Sequence, residues 1–340
     1  MAMTFLELAR FKKLDDASLA VVDVMQHESD ILKILPMLTN EPGDYNRKWR
    51  RANALPSVAF RARGERFTET GVPSWEEGLD TIAELGTEIN IDIADYEYKG
   101  WSQDPLQYNI DMKVKSIARL LHDYVINGDL ASDEDSFDGL NIRVQQMASG
   151  QTVYGVSSSS DLDVTETTLL SSNANAVKLL GKIDEAKEAL DGRTPDYALC
   201  DYAFLKALKR AYRILGLSTN YGDMIGTPST ISGERETSAN PLTGPHFVDK
   251  DGCKYIAMGL KRDQSTKVIA DQTIDSVACS PVFYVKFGGN YVNGMTNHVL
   301  SITPFRLTDD EVNYRSVIRQ TFGLTHTHPK SIAVLRGVQY

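Results

Sequence analysis

The sequence predicts an α+β fold, and three observations carry that prediction. Apolar residues recur at helical spacing from Leu106 to Tyr124, which predicts a helix over 105–126 with a length of about 33 Å. Between 174 and 216, a short apolar run stands between two amphipathic stretches, an α–β–α order typical of a sheet covered by helices. Short apolar runs separated by turn residues fill the C-terminal third and predict several further strands.

Length and composition agree with a globular chain of about two domains. The chain has 340 residues, 42% hydrophobic and 24% charged, which excludes disordered, collagen-like and low-complexity classes. No run of 18 apolar residues is present, so no membrane-spanning helix is expected, and the N-terminus lacks a secretory-signal pattern. The widely spaced Cys200, Cys253 and Cys279 fit neither a disulfide framework nor a metal site, which favours a reducing compartment.

The first 72 residues predict two segments with little core of their own. Residues 1–40 form an arm, with a short amphipathic helix that presents Leu19, Val22 and Met25 on one side. Because so small an apolar face is not stable alone, the arm is expected to lie on a neighbouring copy of the chain. Residues 41–72 predict an extended hairpin with two runs joined at 54–57, and an isolated hairpin is only marginally stable in water.

The segment after the hairpin leads to the long helix. The sequence PSWEEGLDTIAEL predicts a short helix capped by Ser74 and ended by Gly86. The alternating isoleucines of TEINIDIADYEY then predict a half-buried strand. The long helix is expected to follow an N-cap at Asp104 and to stop at Asn127-Gly128.

The rest of the chain predicts a second compact unit and a set of strands. After the polar stretch 129–172, a helix over 174–190 turns Leu180, Ile183 and Leu190 inward, PDYALC forms a buried strand, and Asp201 caps a helix that ends at Gly216. A long loop is predicted over 217–246. Strands are predicted in CKYIAMGL, TKVIA, SPVFYVKFGG, HVLSITPFRL and SIAVLRGVQY, and residues 308–324 are ambiguous between helix and strand.

The charge distribution points to an acidic binding partner. The net charge is −10, but residues 45–68 carry seven basic side chains and one acid, so this segment is +6 and the remainder −16. A basic segment on an acidic chain predicts contact with a phosphate backbone or with another copy. The residues predicted to make contacts between subunits are Arg47, Lys48, Trp49, Arg50, Arg51, Phe60, Arg61, Arg63 and Arg66.

Residue patterns that would carry chemistry are weak throughout the chain. Phosphate-loop, H-E-x-x-H and G-x-S-x-G motifs are absent. His326-Thr327-His328 is the best metal candidate, but with no third ligand nearby a solvated or pairing strand is favoured. Cys200 is interpreted as a small buried hydrophobe, and Trp49 as packing at a subunit contact in preference to stacking on a base. A solvated turn is favoured over a cation site for Asp129, Asp133, Glu134, Asp135 and Asp138.

The order of these elements resembles the Hong Kong 97-type major capsid proteins of tailed phages. The resemblance rests on the arm, the basic hairpin, the long helix, DSFDGLNIRVQQM (135–147) and GRTPDYALCDYAFLKALKR (192–210). It implies an N-terminal arm (1–40), an extended hairpin loop (41–72) and a peripheral domain (73–148) that includes a spine helix over 105–126. An axial α/β domain (149–290) and return strands of the peripheral domain (291–340) complete the implied division.

This resemblance implies a structural protein without catalytic, cofactor or metal residues. It implies assembly through hexamers and pentamers into an icosahedral shell around double-stranded DNA, in a virion built in the bacterial cytoplasm. The implied partners are further copies of the chain, a portal protein and DNA held without sequence recognition, but no membrane. A separate scaffolding protein and decoration proteins are left open. Some members join a loop lysine covalently to a neighbour, but Lys48 lies near the base of this loop, which disfavours that cross-link.

Three alternatives stay open from the sequence. One is an encapsulin-like nanocompartment shell on the same fold, with enclosed protein cargo in place of DNA. Another is a nucleic-acid-binding protein that uses the basic hairpin, whose affinity would fall steeply with salt. The third is an enzyme whose site the motifs above do not cover.

Overall fold

The computed structural model describes residues 3–12, 16–40, 44–52, 58, 60–66, 75–94, 105–147, 149–190, 194–216, 246–249, 251–298, 300–308 and 312–340. The helices in these ranges are α1 (Phe5–Phe11), α2 (Asp16–Glu28), α3 (Asp30–Ile34), α4 (Pro105–Asn127), α5 (Leu140–Gln145), α6 (Glu166–Ser171), α7 (Ala174–Glu188) and α8 (Tyr202–Ile214). A 3-10 turn spans Ser149–Gln151. None of these helices is long and apolar enough to cross a membrane.

The strands of the described residues fall into two six-stranded sheets and three small pairs. The N-terminal strands are β1 (Met37–Thr39), β2 (Asn46–Ala52), β3 (Trp75–Thr81), β4 (Ala83–Asp92), β5 (Thr152–Tyr154), β6 (Leu162–Asp163), β7 (Tyr197–Cys200), β8 (His246–Val248) and β9 (Lys254–Ala257). The others are β10 (Gln272–Ile274), β11 (Val277–Cys279), β12 (Val282–Val285), β13 (Val292–Thr296), β14 (Ser301–Ile302), β15 (Arg306–Leu307), β16 (Asn313–His326), β17 (Ile332–Arg336) and β18 (Val338–Gln339).

The first sheet is organised around β16, whose segment was ambiguous in the sequence. This strand has 14 residues and pairs antiparallel with all ten residues of β4, from Asn313 opposite Asp92 to Phe322 opposite Ala83. On its other side it pairs with β14 and β15, and its C-terminal part pairs with β13, which continues to β1. The alternating isoleucines predicted the β4 strand correctly, since Ile89 and Ile91 are buried.

The long helix predicted over 105–126 is confirmed as α4, which ends at Asn127 as expected. Its stripe of Val114, Ile117 and Leu121 is buried against α2 and β4. The predicted N-cap, Asp104, lies outside the described residues. Helical periodicity was sufficient to predict this helix because its apolar residues form one continuous stripe that packs against one core.

The arm does not behave as the sequence predicted. Its three helices lie on the body of their own chain, where α2 packs against α4 and Phe5, Met25 and Leu32 are completely buried. The expectation that the arm is stable only on a neighbouring copy is therefore wrong for the described part. The apolar surface of the arm is larger than the sequence suggested, because α1 and α3 add their own buried residues to the same core.

The helix predicted over 73–85 is also wrong. Residues Trp75–Thr81 form strand β3, which pairs antiparallel with β2 so that Asn46 lies opposite Thr81 and Ala52 opposite Trp75. Gly86, expected to end a helix, lies inside β4 opposite Arg319. The returning strand of the hairpin is therefore β3, beyond the predicted limit at 72. The predicted turn at 54–57 and the predicted cap, Ser74, lie outside the described residues.

The second sheet runs β5-β17-β12-β7-β9-β8 and is buried on both faces. Leu199 and Phe283 face the core that holds α4, whereas Cys200 and Tyr284 face a second core beneath α7 and α8. Burial on both faces explains why these strands are continuous apolar runs without alternation. Although residues 291–340 were predicted to return to the peripheral domain, β17 lies in this second sheet.

The helices of this second unit follow the sequence closely. Ile183 and Leu190 are buried and Leu180 is half-buried, as predicted for α7 and its end. Asp201 caps α8 by accepting a hydrogen bond from the Tyr202 amide. The stretch TKVIA, predicted as a strand, contributes only an isolated bridge at Lys267. Of the predicted loop 217–246, all but its last residue lies outside the described residues.

Candidate assembly surface

The β2–β3 hairpin has two chemically different faces. Residues opposite one another in an antiparallel pair share a face, so successive pairs alternate between the two. One face carries Arg47, Trp49 and Arg51 opposite Asp80, Gly78 and Glu76, and it turns toward the body of the chain. The other carries Lys48 and Arg50 opposite Leu79 and Glu77 and is exposed. We call these the inner and outer faces of the hairpin.

Trp49 packs the inner face of the hairpin against the body of the chain. Its indole ring lies over Gly78 so closely that a Cβ atom there would overlap it, which explains the glycine at this position. The ring centroid is 5.7 Å from that of His326, at the end of β16, and the Arg51 guanidinium lies 5.0 Å from the ring. The interpretation of Trp49 as a subunit contact has no support from these contacts, which lie within one chain.

Beneath Trp49, a buried arginine ties the hairpin to the body. Arg143, on α5, donates to Asp80 of β3 at 2.9 Å and contacts His326 Nδ1 at 2.7 Å. It also donates to the backbone carbonyls of Leu324 at 2.8 Å and Asp138 at 2.9 Å. Burial, with the positive charges of Arg143 and Arg51, lowers the pKa of His326 to about 3. The neutral imidazole can therefore accept a hydrogen bond from the guanidinium.

Exposed apolar side chains occupy the outer face and the loop beyond it. Trp75 is 63% exposed and Leu79 55% exposed. In the loop, Val58 is 92% exposed and Phe60 is fully exposed. A group of large apolar side chains exposed to water is typical of a protein-interaction surface.

The basic residues predicted at this surface differ in their environments. Arg50 pairs with Glu77 at 2.6 Å and Arg51 with Glu76 at 2.7 Å, so acids of the same hairpin balance part of the predicted charge excess. Arg47 lies 3.5 Å from the Asn40 side-chain oxygen, and Lys48 is exposed. Contacts of these residues with another subunit stay a prediction.

Arg61, Arg63 and Arg66 are exposed, but they do not lie on a strand as expected. Residues 62–65 form a turn, with the Glu65 amide bonded to the Ala62 carbonyl and Gly64 at a φ of 97°, and residues 60, 61 and 66 lie outside any strand. Arg61 donates to the carbonyl of Glu65. The prediction that Arg61 and Arg63 share one strand face is therefore wrong, because Arg63 lies in the turn and neither residue belongs to a strand.

The weaker chemical candidates take structural roles. His326 is buried on β16, whereas His328 lies beyond the strand, so the pair does not share a strand face. Groups of His, Cys, Asp and Glu able to hold a metal ion are absent from the described part of the chain. Cys200 is completely buried, and burial raises the pKa of its thiol. Asp129 accepts bonds from Ala131 and Ser132 within the acidic turn.

The comparisons with known proteins concern the fold. No protein-family model matches the chain, and no curated protein matches it. An encapsulin complex from Synechococcus elongatus PCC 7942 aligns with a TM-score of 0.56 at 12% identity, covering 91% of this chain and 87% of that one. The capsid of a native GTA particle aligns with a TM-score of 0.55 at 11% identity, covering 94% and 90%. The capsid of Myoviridae phage XM1 gives 0.53 at 10% identity, covering 88% and 89%.

The chain has the Hong Kong 97-type capsid fold. The resemblance predicted from the order of elements is thus confirmed, and the alignments extend over nearly the whole chain. In this capsid fold, β2–β3 corresponds to the predicted extended hairpin and α4 to the spine helix. The domain boundaries given above stay a prediction.

The sequence did not identify Trp75 and Leu79 of the exposed apolar surface, nor the contacts of Arg143 beneath it. Trp75 and Leu79 were assigned to a helix, although their alternation with Glu76 and Asp80 also fits a strand. A second signal was available, because the acids of 76–80 complement the basic residues of 47–51. The contacts of Arg143 with Asp80 and His326 left no local signal in the sequence. Asp80 lies 63 residues from Arg143 along the chain, and His326 lies 183 residues from it.

Proposed function

We propose that this chain is a shell-forming subunit, the major capsid protein of a tailed phage, which assembles through hexamers and pentamers around double-stranded DNA. The observation that carries the proposal is the exposed apolar group of Val58, Phe60, Trp75 and Leu79 on the hairpin of a capsid fold. The body leaves these side chains uncovered, and burial against a neighbouring subunit would remove them from water. The role is structural and needs no catalytic residue.

The net charge supports enclosure of DNA without tight binding. At −10, the chain repels phosphate overall, so packaged DNA would not be trapped on the shell. Proposed partners are further copies, a portal protein and the packaged DNA, with scaffolding and decoration proteins left open. The proposed location is the virion, after assembly in the bacterial cytoplasm.

An encapsulin-like shell is the second candidate, and the alignment with the Synechococcus encapsulin favours it. The two shells differ in what they enclose. Purified particles that contain DNA and incorporate a portal protein support the phage role. Particles that instead hold a protein cargo, and no DNA, support the nanocompartment.

The experiment that tests shell formation uses the whole chain. We expect negative-stain microscopy and sedimentation velocity to show capsomers and uniform closed shells. Leu79→Glu should reduce assembly strongly, because it places a carboxylate on the outer face, whereas Leu79→Met preserves the apolar contact and should assemble normally. A wild-type chain that stays monomeric at high concentration contradicts the proposal.

A role of the hairpin in binding nucleic acid is tested by charge reversal. Replacing Arg61 and Arg63 together with Glu should block assembly through repulsion from acidic neighbours and leave the monomer folded. High salt should weaken early assembly of the wild type for the same reason. If the double variant assembles normally but retains less DNA, the hairpin binds phosphate and the proposed subunit contact is wrong.

A further inference from the structure

Helix α8 presents all of its charged side chains on one face. The helix contains no acid, and its basic residues are Lys206, Lys209, Arg210 and Arg213. At 3.6 residues per turn, these four residues and Tyr202 lie within an arc of about 100° around the helix axis. The opposite side of the helix is buried in the core beneath the second sheet. We call the exposed arc the basic face of α8; it carries a charge of +4 on a chain whose net charge is −10.

Stabilisation of the helix itself explains only part of this charge. A basic side chain near the C-terminus of a helix interacts favourably with the helix dipole, but the effect falls off within the last turn. Arg213 lies in the last turn of α8, whereas Lys206 lies in the first half of the helix. An acid one turn away from each base would also stabilise the helix, and α8 has none. The basic face therefore exceeds what the helix needs for its own stability.

The cations of the basic face lie close enough to repel one another. Burial, and after it the positive charge of Arg213, lowers the pKa of Lys209. Arg210 pairs with Glu166 of α6 at 2.8 Å, but the glutamate side chain is 66% exposed, so salt weakens this pair. A partner with negative charge would relieve the repulsion between Lys209 and Arg213.

The composition of the basic face favours a phosphate backbone over an acidic protein surface. The centre of a protein interface is apolar and depleted in lysine, whereas contacts to phosphate come from lysine, arginine and hydroxyl side chains. Tyr202 is the one large apolar side chain of α8 that is exposed, and Lys206 Nζ lies 5.9 Å from the centre of its ring. Its hydroxyl can donate to a phosphate oxygen beside that lysine.

The length of the basic face matches a short run of phosphates. From Lys206 to Arg213 the helix rises by about 10 Å. One strand of a DNA duplex carries a phosphate for each 3.4 Å or so of helix axis, so about three phosphates lie along that length. Lys206, Lys209 and Arg213 therefore supply about one cation for each phosphate. Three contacts give weak, salt-sensitive binding, which fits packaged DNA that must later leave the shell.

We propose that the basic face of α8 contacts the phosphate backbone of the nucleic acid inside the shell, with Lys206, Lys209 and Arg213 each facing a phosphate. This inference rests on the proposed shell function and names the surface that meets the enclosed nucleic acid. Contacts to phosphate alone carry no sequence information, so the enclosed nucleic acid is held without sequence recognition.

The salt dependence of DNA binding tests the contact in the unassembled full chain. Fluorescence anisotropy with a short labelled DNA duplex gives the logarithm of the binding constant against the logarithm of the salt concentration. The triple variant Lys206→Gln, Lys209→Gln, Arg213→Gln removes three phosphate contacts, so its slope should be less steep than that of the wild type by about 2.7. Between 50 and 200 mM salt, the wild type should therefore lose about 40-fold more affinity than the variant.

A second triple variant controls for net charge. Lys113→Gln, Lys178→Gln, Lys182→Gln removes three surface lysines from α4 and α7, and its slope should stay that of the wild type. Lys206→Arg with Lys209→Arg keeps both charges of the basic face and should bind as the wild type does. Circular dichroism checks that each variant is folded.

Assembled particles separate the two kinds of anionic partner. The Gln variant of the basic face should form shells normally and retain less DNA than the wild type. If it binds the duplex as the wild type does but fails to form shells, the partner is an acidic protein surface and the inference is wrong. An unchanged salt slope, or a reconstruction with α8 on the outer surface of the shell, also overturns it. A wild-type chain that never assembles overturns the proposed function, and the salt slope then shows independently whether α8 binds phosphate.

Discussion

Replacing Arg143 with methionine should destabilise the chain and release the base of the hairpin. The guanidinium is 3% exposed and has four partners: the Asp80 carboxylate, His326 and two backbone carbonyls. Removing it leaves Asp80, also buried, as an unpaired charge. Breaking a buried ion pair from one side costs about 3–5 kcal/mol, so we expect a loss of that size in the free energy of unfolding.

The double variant Arg143→Met with Asp80→Leu separates the ion pair from simple loss of packing. Removing both charges eliminates the unpaired carboxylate, and such replacements are often neutral or stabilising. We therefore expect the double variant to be at least about 2 kcal/mol more stable than Arg143→Met alone. Arg315→Met is the matched control, because its pair with Glu88 is exposed and such pairs are worth about 0–1 kcal/mol.

Urea denaturation of the unassembled chain, followed by circular dichroism, measures these free energies. Trp49 gives an independent signal, since its indole lies over the anchor and its fluorescence should shift to the red when the hairpin detaches. A loss below about 1 kcal/mol in the free energy of unfolding for Arg143→Met would refute the inference that the contacts of Arg143 stabilise the base of the hairpin. A double variant no more stable than the single one would show that the ion pair is not the source of the effect.

Three other outcomes are expected. Burial lowers the pKa of His326 to about 3 and that of His122 to about 4. Below pH 6.5 the unfolded chain therefore binds more protons than the folded chain. The free energy of unfolding should fall toward pH 4, by at most about 2.7 kcal/mol per pH unit for the two groups. A urea midpoint that is flat from pH 6.5 to 5 contradicts this. Leu121→Ala should lower the free energy of unfolding in urea by about 2–5 kcal/mol, whereas Met112→Ala, on the exposed side of α4, should lower it little. Equal losses would contradict the burial of Leu121 on this helix. Thiol titration should detect reactive cysteines only after unfolding, and a fast-reacting thiol in the folded chain would contradict the burial of Cys200, Cys253 and Cys279.

The sequence predicted elements whose signals are local. The spine helix, the Asp201-capped helix α8 and the alternating strand β4 each show their own period or cap within one stretch of chain. One apolar stripe or one capping side chain is enough to specify such an element. The order of these elements, taken together, also predicted the capsid fold.

Pairing partners decided the elements that the sequence predicted wrongly. The stretch from Trp75 to Thr81 has residues compatible with a helix, but its cross-strand pairs with β2 make it a strand. The stretch 308–324, which the sequence left ambiguous, supplies most of β16, the central strand of the first sheet, because β4 and β13 pair with it. Strand formation depends on a partner far along the chain, so local preference does not settle it.

The location of the arm and the environment of the hairpin were decided by tertiary structure alone. The sequence showed that the arm needed a surface, and the fold supplied α4 and the first sheet of the same chain. It showed an excess of basic residues in the hairpin, and the fold placed Glu76 and Glu77 beside two of them. Composition and periodicity reveal that a segment needs a partner, whereas the identity of the partner depends on contacts between residues distant in the chain.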